Sequence, residues 1–251
     1  MHPMLTIAVR AARQAGAIIT RAFDRPDQLE IQCKGHNNYV TNIDRQAEQE
    51  IIQTLRKSYP DHSFISEEQG EIKGDGEYTW FIDPIDGTTN FIHGIAYFCV
   101  SIAAMKDNKI EHAVIFDPIH NDLFTASRGN GAQRNEKRMR VSNHPQLDGA
   151  FLSFSTQTFS HPQYSSFAHT SVHRQSGAAA LDLANVAAGC YDGCIQFHLK
   201  SWDMMAGALL VREAGGLVGD DNGGEDYLQR GNIVAGNSKL FANMLRQLQI
   251  K

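Results

Sequence analysis

The sequence predicts a mixed α/β fold in which helices and sheets stack as layers of a sandwich. Strand-like apolar runs and helix-like amphipathic runs are mixed along the chain, without the strict alternation of a parallel α/β barrel. The chain has 251 residues, of which 42% are hydrophobic, so it can bury a sizeable core. We expect a single unit over residues 1–251, with an N-terminal half (1–145) and a C-terminal half (146–251).

Helices are predicted where apolar residues recur at three- and four-residue spacing. In the first helix, which begins at Pro3, one face carries Leu5, Ala8, Ala12, Ala15 and Ile19. Thr41 is the expected N-cap of the second helix, and Pro60 ends it. The predicted helices cover residues 4–23, 41–59, 178–188, 203–214 and 239–249.

Short apolar runs predict the strands. They cover residues 29–33, 63–66, 79–82, 97–105, 110–116, 123–126, 150–154, 216–219 and 232–235. A turn is expected over residues 35–38, a polar glycine-rich loop over 70–76, and a turn with a further strand over 129–140. The polar, histidine-rich segment 155–171 is assigned to no element.

Composition excludes several classes of protein. The net charge of −5 and the pI near 6.1 argue against a dedicated nucleic-acid binder, and no direct nucleic-acid patch is evident. The chain lacks a run of 18 apolar residues, so we expect no membrane partner. Its four cysteines do not form a disulfide pattern, which favours free thiols in the cytoplasm.

Two aspartates stand close together in Asp83–Gly87, directly after the apolar run 79–82. In a continuous strand Asp83 and Asp86 would point to opposite faces, so Pro84 and Gly87 predict a turn that aims both carboxylates at one point. The following residues can begin a helix whose free N–H groups face an anion. Two acids beside an anion need a cation between them, and oxygen ligands suit Mg²⁺ or Mn²⁺.

The alternative interpretation of this motif is an ordinary surface turn. The chain holds a second Asp-Pro pair at a strand end, Asp117-Pro118, without the Gly-Thr-Thr that follows Asp86. We expect this second pair to form only a hairpin turn between the strands over 110–116 and 123–126.

Three further acidic positions have ordinary structural interpretations when each is taken alone. Glu67 and Glu68 follow a short strand and can form a solvated charge pair. Asp203 precedes a helical run and is first of all a candidate N-cap. Asp44, three residues after Thr41, resembles the second member of a capping box.

Taken in order, three motifs resemble the inositol monophosphatase family: Glu67-Glu68, Asp83–Thr88 and Trp202–Gly207. The likeness covers essentially the whole chain and is closest to a bacterial branch of the family. It implies a five-layered αβαβα sandwich of the inositol monophosphatase and fructose-1,6-bisphosphatase type, usually a homodimer. It also implies a lithium-sensitive hydrolase that removes phosphate from inositol 1-phosphate with Mg²⁺.

The resemblance also implies a set of site residues. Two to three Mg²⁺ ions, or Mn²⁺, would be held by Glu67, Asp83, the main-chain carbonyl of Ile85, Asp86 and Asp203. The implied catalytic residues are Asp44, Thr88 and Glu67, with Asp44 and Thr88 orienting the attacking water. The implied substrate-binding residues are Asp86, Gly87, Thr88, Arg174, Gly177, Ala178, Gln196 and Asp203.

The chain departs from the family pattern at Gln196, where relatives carry a Glu that binds a sugar hydroxyl. A neutral amide accepts a weaker hydrogen bond than a carboxylate. We therefore expect weak discrimination between inositol 1-phosphate and simpler polyol phosphates, and a stronger preference for inositol phosphate in Gln196→Glu. The amide would also add a donor that could suit another substrate.

The same motifs are compatible with other functions. Fructose-1,6-bisphosphatase, histidinol-phosphate phosphatase and nucleotide 3′-phosphatase activities share the same metal motif. Members of the bacterial branch also resemble a regulatory factor of ribosomal-RNA transcription antitermination, which would have protein partners in the transcription complex.

Overall fold

The computed structural model describes residues 2–35, 38–155, 158, 167 and 169–249. The helices of these residues are α1 (Pro3–Phe23), α2 (Asn42–Ser58), α3 (Thr88–Ile92), α4 (Ala179–Ala187), α5 (Ser201–Glu213), α6 (Tyr227–Arg230) and α7 (Ser238–Leu248). A short 3₁₀ helix covers Pro26–Gln28. No described helix has the length and hydropathy required to cross a membrane.

The first strands are β1 (Ile31–Gly35) and β2 (Asn38–Thr41), which form a separate hairpin. An eight-stranded sheet contains β3 (Ser63–Ser66), β4 (Gly70–Ile72), β5 (Tyr78–Asp86), β6 (Cys99–Lys106), β7 (Lys109–Asp117), β8 (Asp122–Ser127), β9 (Ala132–Arg134) and β10 (Lys137–Arg138). A five-stranded sheet contains β11 (Phe151–Phe154), β12 (Val172–Arg174), β13 (Gly193–Gln196), β14 (Leu217–Gly219) and β15 (Ile233–Gly236).

The large sheet, in the order β10-β9-β8-β7-β6-β5-β3-β4, is buried on both faces. Successive side chains of a strand point to opposite faces. Trp80, Ile102 and Val114 belong to one hydrophobic cluster, which they share with α1 and α2. Phe81 and Ala103 belong to a second cluster, which they share with α4 and α5. The apolar strands of the large sheet therefore separate two helical layers.

The small sheet, in the order β12-β11-β13-β15-β14, completes the sandwich. Cys194 and Ala235 pack with α4 and α5 on one face, whereas Ile195 and Val234 pack with α7 on the other face. The layers are thus α1 and α2, the large sheet, α4 and α5, the small sheet, and α7. This confirms the predicted five-layered αβαβα sandwich.

Most predicted elements lie within a few residues of the observed ones, and the differences have local causes. The predicted loop over 70–76 begins with β4, which pairs antiparallel with β3. The predicted strand over 79–82 continues to Asp86. The strands β12 and β13, three and four residues long, were not predicted by any apolar run. The unassigned segment 155–171, and the middle of the predicted turn over 35–38, lie largely outside the described residues.

Two local predictions are confirmed. All four cysteines are free thiols: Cys99 and Cys194 are buried, and Cys33 and Cys190 are exposed. Asp117 ends β7, and its Oδ1 accepts hydrogen bonds from the N–H groups of Ile119 and His120. The second Asp-Pro pair is therefore a hairpin turn, as expected.

Candidate metal and phosphate site

Strand pairing brings the acid after β3 beside the acids of β5. The two strands run parallel, with Ser66 opposite Ile82, and the N–H of Glu67 donates to the carbonyl of Ile82 at 3.2 Å. The carboxyl ends of parallel strands lie at the same edge of a sheet. Glu67 therefore lies next to Asp83 because of the register of this pair.

A bulge, rather than the predicted turn, places Asp83 and Asp86 on the same face. Asp83 lies opposite Ser101 and Asp86 lies opposite Cys99, so three residues of β5 span two of β6. The extra residue reverses the alternation of side chains, so both carboxylates lie on the face of the sheet that carries Cys99. That face meets the layer of α4 and α5. The prediction that the strand ends at Asp83 is wrong, whereas the expected convergence of the two carboxylates is observed.

Two helices begin at these carboxylates. The N–H groups of Ala179 and Ala180, at the start of α4, donate to Asp86 at 3.2 and 2.6 Å. Asp203 is the third residue of α5 and accepts a hydrogen bond from the N–H of Lys200 at 2.7 Å. The N-cap of α5 is therefore Lys200, and the interpretation of Asp203 as the N-cap is wrong. Asp203 still lies in the first turn, where the helix dipole stabilises a negative charge.

Asp44 and Thr88 connect α2 to the site. The predicted capping box is present, since Asp44 Oδ2 accepts from the N–H of Thr41 at 2.8 Å and from its hydroxyl at 2.6 Å. The other carboxylate oxygen, Oδ1, lies 3.0 Å from Thr88 Oγ1. Thr88 begins α3, which confirms that a helix opens after Gly87. Thr88 Oγ1 also lies 2.9 Å from the carbonyl oxygen of Ile85.

Gly87 has the backbone conformation that this junction requires. Its φ of +100° lies in a region that residues with a side chain rarely adopt. A Cβ atom at this position would lie 3.1 Å from Ala178 Cβ and 3.1 Å from the carbonyl oxygen of Tyr97. The glycine thus allows the end of β5 to approach the start of α4.

The collected acids favour protonation in the absence of a counterion. Burial raises the pKa of Asp44, and burial together with neighbouring carboxylates raises the pKa values of Asp83 and Asp86 well above the usual range. Burial also raises the pKa of Glu67 to about 7 and that of Asp203 to about 6. Buried like charges are costly unless a cation neutralises them.

Lys34 supplies a positive charge at the edge of the acid cluster. Its ammonium group lies 3.5 Å from Glu67 Oε1 and forms a hydrogen bond with Glu68. Burial lowers the pKa of Lys34, but the Glu68 hydrogen bond and the surrounding carboxylates outweigh it and raise the pKa overall. One ammonium group cannot neutralise five carboxylates.

The donor set fits a hard divalent cation, because buried carboxylates and a main-chain carbonyl are the ligands that Mg²⁺ and Mn²⁺ prefer. The implied ligands Glu67, Asp83, Ile85, Asp86 and Asp203 all line one cavity of about 260 Å³. Within the described ranges, no three His, Cys, Asp or Glu side chains are arranged so that they could hold a metal ion.

Most of the implied substrate-binding residues also line this cavity. They are Asp86, Gly87, Thr88, Gly177, Ala178, Gln196 and Asp203. Arg174 is the exception, since its guanidinium group lies over the ring of Phe151, 5.4 Å from the centroid, and the cavity is lined by the next residue, Gln175. The implied role of Arg174 in substrate binding has no support in this position.

Sequence analysis missed two buried acids that shape the site. The carboxylate of Glu48 accepts hydrogen bonds from the N–H groups of Glu68 and Gln69, at 2.8 and 2.9 Å. Asp182 lines the cavity and accepts from Tyr97 and Gln196. Each acid interrupts an apolar helix face, and a charge in that position was the available signal.

The whole chain, residues 1–251, matches the family described as the inositol monophosphatase family. The chain belongs to this family. Among inositol monophosphatase relatives, the Nus factor SuhB of Pseudomonas aeruginosa is 48% identical over 262 aligned residues, which cover 99% of this chain and 97% of that protein. The resemblance inferred from the three motifs is therefore confirmed.

Two solved structures of inositol monophosphatase relatives share the fold. The extragenic suppressor protein SuhB of Bartonella henselae superposes with a TM-score of 0.96 at 40% identity, covering 99% of both chains. The inositol monophosphatase of Anabaena superposes with a TM-score of 0.86 at 34% identity, covering 97% of this chain and 94% of that one.

Proposed function

We propose that this chain is a Mg²⁺-dependent phosphate monoester hydrolase and that inositol 1-phosphate is its best substrate. The observation that carries the proposal is the convergence on one cavity of carboxylates that follow β3 or belong to β5 and α5. Of these, Asp83 and Asp86 are buried, and Glu67 and Asp203 are half-buried. Their raised pKa values indicate that a cation should replace the protons. Membership in the inositol monophosphatase family supports the same chemistry.

Glu67, Asp83, Asp86, Asp203 and the carbonyl of Ile85 would hold two to three Mg²⁺ ions, with Mn²⁺ as a substitute. When bound, such ions acidify water and neutralise the charge on the leaving oxygen. The protein's part is to position the reactants. The Thr88 hydroxyl donates a hydrogen bond to Asp44 Oδ1 or to the Ile85 carbonyl, which leaves the lone pairs of Oγ1 free to accept a hydrogen bond from a water molecule and so to orient it. Gly87 and Thr88 lie where a phosphate would be held.

A panel of esters tests this proposal. Phosphate release should depend on Mg²⁺ and be fastest with inositol 1-phosphate. The competing esters are fructose 1,6-bisphosphate, histidinol phosphate, a nucleoside 3′-phosphate and glycerol 2-phosphate. Lithium should inhibit at concentrations on the order of tens of millimolar, as expected for a weak hard-cation site. Activity without a divalent cation, or release from none of these esters, would refute the proposal.

The name of the Pseudomonas relative, Nus factor SuhB, favours a second role. We propose that this chain also joins a transcription antitermination complex through protein contacts, as a homodimer of twice its 27.9 kDa mass. Pull-down of RNA polymerase and Nus factors with the Asp83→Asn protein should succeed if this role is independent of catalysis. Sedimentation should report the dimer.

A further inference from the structure

Gln196 is held by a buried polar network at the cavity wall. It lies at the end of β13, is 3% exposed, and lines the cavity. Its Nε2 lies 3.0 Å from Asp182 Oδ2 and 3.2 Å from Ser153 Oγ. The two hydrogens of the amide are thus used inside the protein.

The chemistry of Asp182 fixes which end of the amide faces it. An ionised carboxylate only accepts hydrogen bonds, so the amide nitrogen, not the oxygen, must point toward Asp182. Asp182 is 1% exposed and also accepts hydrogen bonds from the hydroxyl groups of Tyr97, at 2.7 Å, and Ser176. Several donors therefore keep the carboxylate in place, and it in turn orients Gln196.

We propose that Asp182 and Gln196 act as one unit in which Asp182 is a positioning residue, so that Gln196 presents only its carbonyl oxygen to a hydroxyl group of the substrate. This inference rests on the proposed phosphatase function and names a specificity determinant of the same cavity. The substrate class is a phosphate ester of a polyol, because a carbonyl oxygen only accepts hydrogen bonds and a hydroxyl group on the leaving group can donate one. The additional donor expected from the sequence is not available to the substrate.

The unit changes the expected effect of Gln196→Glu. A glutamate would place two carboxylates about 3 Å apart without water, an arrangement in which like charges cannot both ionise freely. It would also remove two donors from the network. Gln196→Glu alone should therefore weaken the site, although a sequence-based argument predicts a stronger preference for inositol phosphate.

Exchanging the charge between the two positions should restore the pair. In Asp182→Asn with Gln196→Glu, the asparagine amide can donate to the glutamate, which then presents a carboxylate to the substrate. The test compares the wild type, both single variants and the double variant. It measures kcat/KM for inositol 1-phosphate and glycerol 2-phosphate with Mg²⁺, together with Tm. Gln53→Glu on the exposed face of α2 is the matched control and should leave both quantities unchanged.

We expect Gln196→Glu to lower kcat/KM for inositol 1-phosphate at least tenfold, and the double variant to recover to within about threefold of the wild type. The double variant should also prefer inositol 1-phosphate over glycerol 2-phosphate more strongly than the wild type does. Tm should likewise fall in Gln196→Glu and recover in the double variant, so that the effects of the two substitutions on Tm are not additive.

The proposed pairing of Asp182 with Gln196 would be overturned if the effects of the two substitutions were additive. It would also be overturned if Gln196→Glu kept its Tm and preferred inositol phosphate more strongly. A wild-type protein that releases no phosphate from either ester would overturn the proposed function and the substrate contact with it. In that case the Tm values would still show whether the two residues are paired, so the two failures are distinguishable.

Discussion

Glu48 shows how a single buried residue can support the site without touching substrate. Its carboxylate accepts two main-chain N–H groups of the turn that carries Glu67, and it is fully buried. Burial raises the pKa of Glu48, with Glu68 contributing in the same direction. The hydrogen bonds from the two N–H groups act in the opposite direction, because they stabilise the ionised carboxylate. Loss of one such bond leaves a partly buried donor without its partner, at a cost of up to about 1–3 kcal/mol.

We predict that Glu48→Gln raises the Mg²⁺ concentration for half-maximal activity about tenfold and lowers the free energy of unfolding by about 1–3 kcal/mol. The glutamine side chain has one oxygen, which can accept from one of the two N–H groups. Its NH₂ group would face the other N–H, donor against donor. The matched control is Glu50→Gln, two residues along α2, where the side chain lies 3.3 Å from the Thr54 hydroxyl and contacts no main-chain N–H of the turn after β3 among the described residues. Equal Mg²⁺ dependence in both variants would remove Glu48 from the site. Magnesium titrations and urea unfolding measure the two effects.

At the scale of elements, the close packing of α4 on α5 explains a glycine of the third motif. A Cβ atom at Gly207 would lie 2.3 Å from Leu183 Cβ, which is far inside contact distance. The two helices form the layer between the sheets, and both begin at acids of the site. Their spacing therefore sets the distance between Asp86 and Asp203.

We predict that Gly207→Ala lowers the free energy of unfolding by about 2 kcal/mol or more, because overpacking a core costs about 1–3 kcal/mol. Helix propensity alone predicts the opposite sign, since alanine is more favourable than glycine by about 1 kcal/mol. The sign measured by urea unfolding therefore decides between the two effects. A stabilised variant would show that α4 and α5 are not packed as described.

Regular helices and core strands could be predicted from the sequence, whereas a bulge and two strands could not. Repeated apolar spacing located α1, α2 and the core strands, because these elements bury a regular face. The bulge in β5 was not predictable, since it depends on the register of β5 against β6, a long-range pairing. The strands β12 and β13 were not predicted because at least half of their residues are polar or glycine, so neither forms an apolar run.

The order of the motifs indicates the proposed metal ligands, whereas it does not indicate the contacts between distant residues. Gln196 was identified as a substrate residue, but its partner Asp182 lies on another element and is visible only in the fold. In the sequence, Glu48 interrupts the apolar face of α2, which signals a buried acid but does not identify its partner. Its role depends on the turn after β3, which tertiary packing brings to it.

At the scale of the whole molecule, the acid cluster couples folding to pH and to metal. A carboxyl group whose pKa is raised on folding binds more protons in the native state than in the unfolded state. Its contribution to stability is present below the unfolded pKa and is lost as pH rises through the folded pKa. For Glu67 this window runs from 4.5 to about 7, and Asp83 and Asp86 extend it upward.

Below pH 6.5, titration of a buried histidine also changes the stability, so the effect of the acids is best measured above that pH. Burial lowers the pKa of His112 to about 4, so this residue destabilises the protein as pH falls below its unfolded value of 6.5. We predict that, without divalent metal, Tm falls by several degrees between pH 6.5 and pH 8, since about 1 kcal/mol corresponds to about 2–4 °C. Mg²⁺ should raise Tm more at pH 8 than at pH 6.5.

Scanning calorimetry at the two pH values, with and without Mg²⁺, measures both effects. Asp83→Asn should reduce the dependence on pH and on metal together. A Tm that rises from pH 6.5 to pH 8 in the absence of metal would contradict the electrostatic account of the cluster.

We propose that Asp83 and its neighbours hold the metal for phosphate release, and a comparison of two Asp→Asn variants tests this assignment. Asp83→Asn keeps the shape of the side chain and an oxygen for the N–H of Ile85, which donates to Asp83 Oδ1 at 3.0 Å. Asp117→Asn makes the same exchange in the second Asp-Pro pair, which forms a hairpin turn outside the site. Mg²⁺-dependent release of phosphate from inositol 1-phosphate should fall about a thousandfold or more in Asp83→Asn. It should stay within about threefold of the wild type in Asp117→Asn. A folded Asp83→Asn protein that keeps turnover within tenfold of the wild type would contradict the assignment.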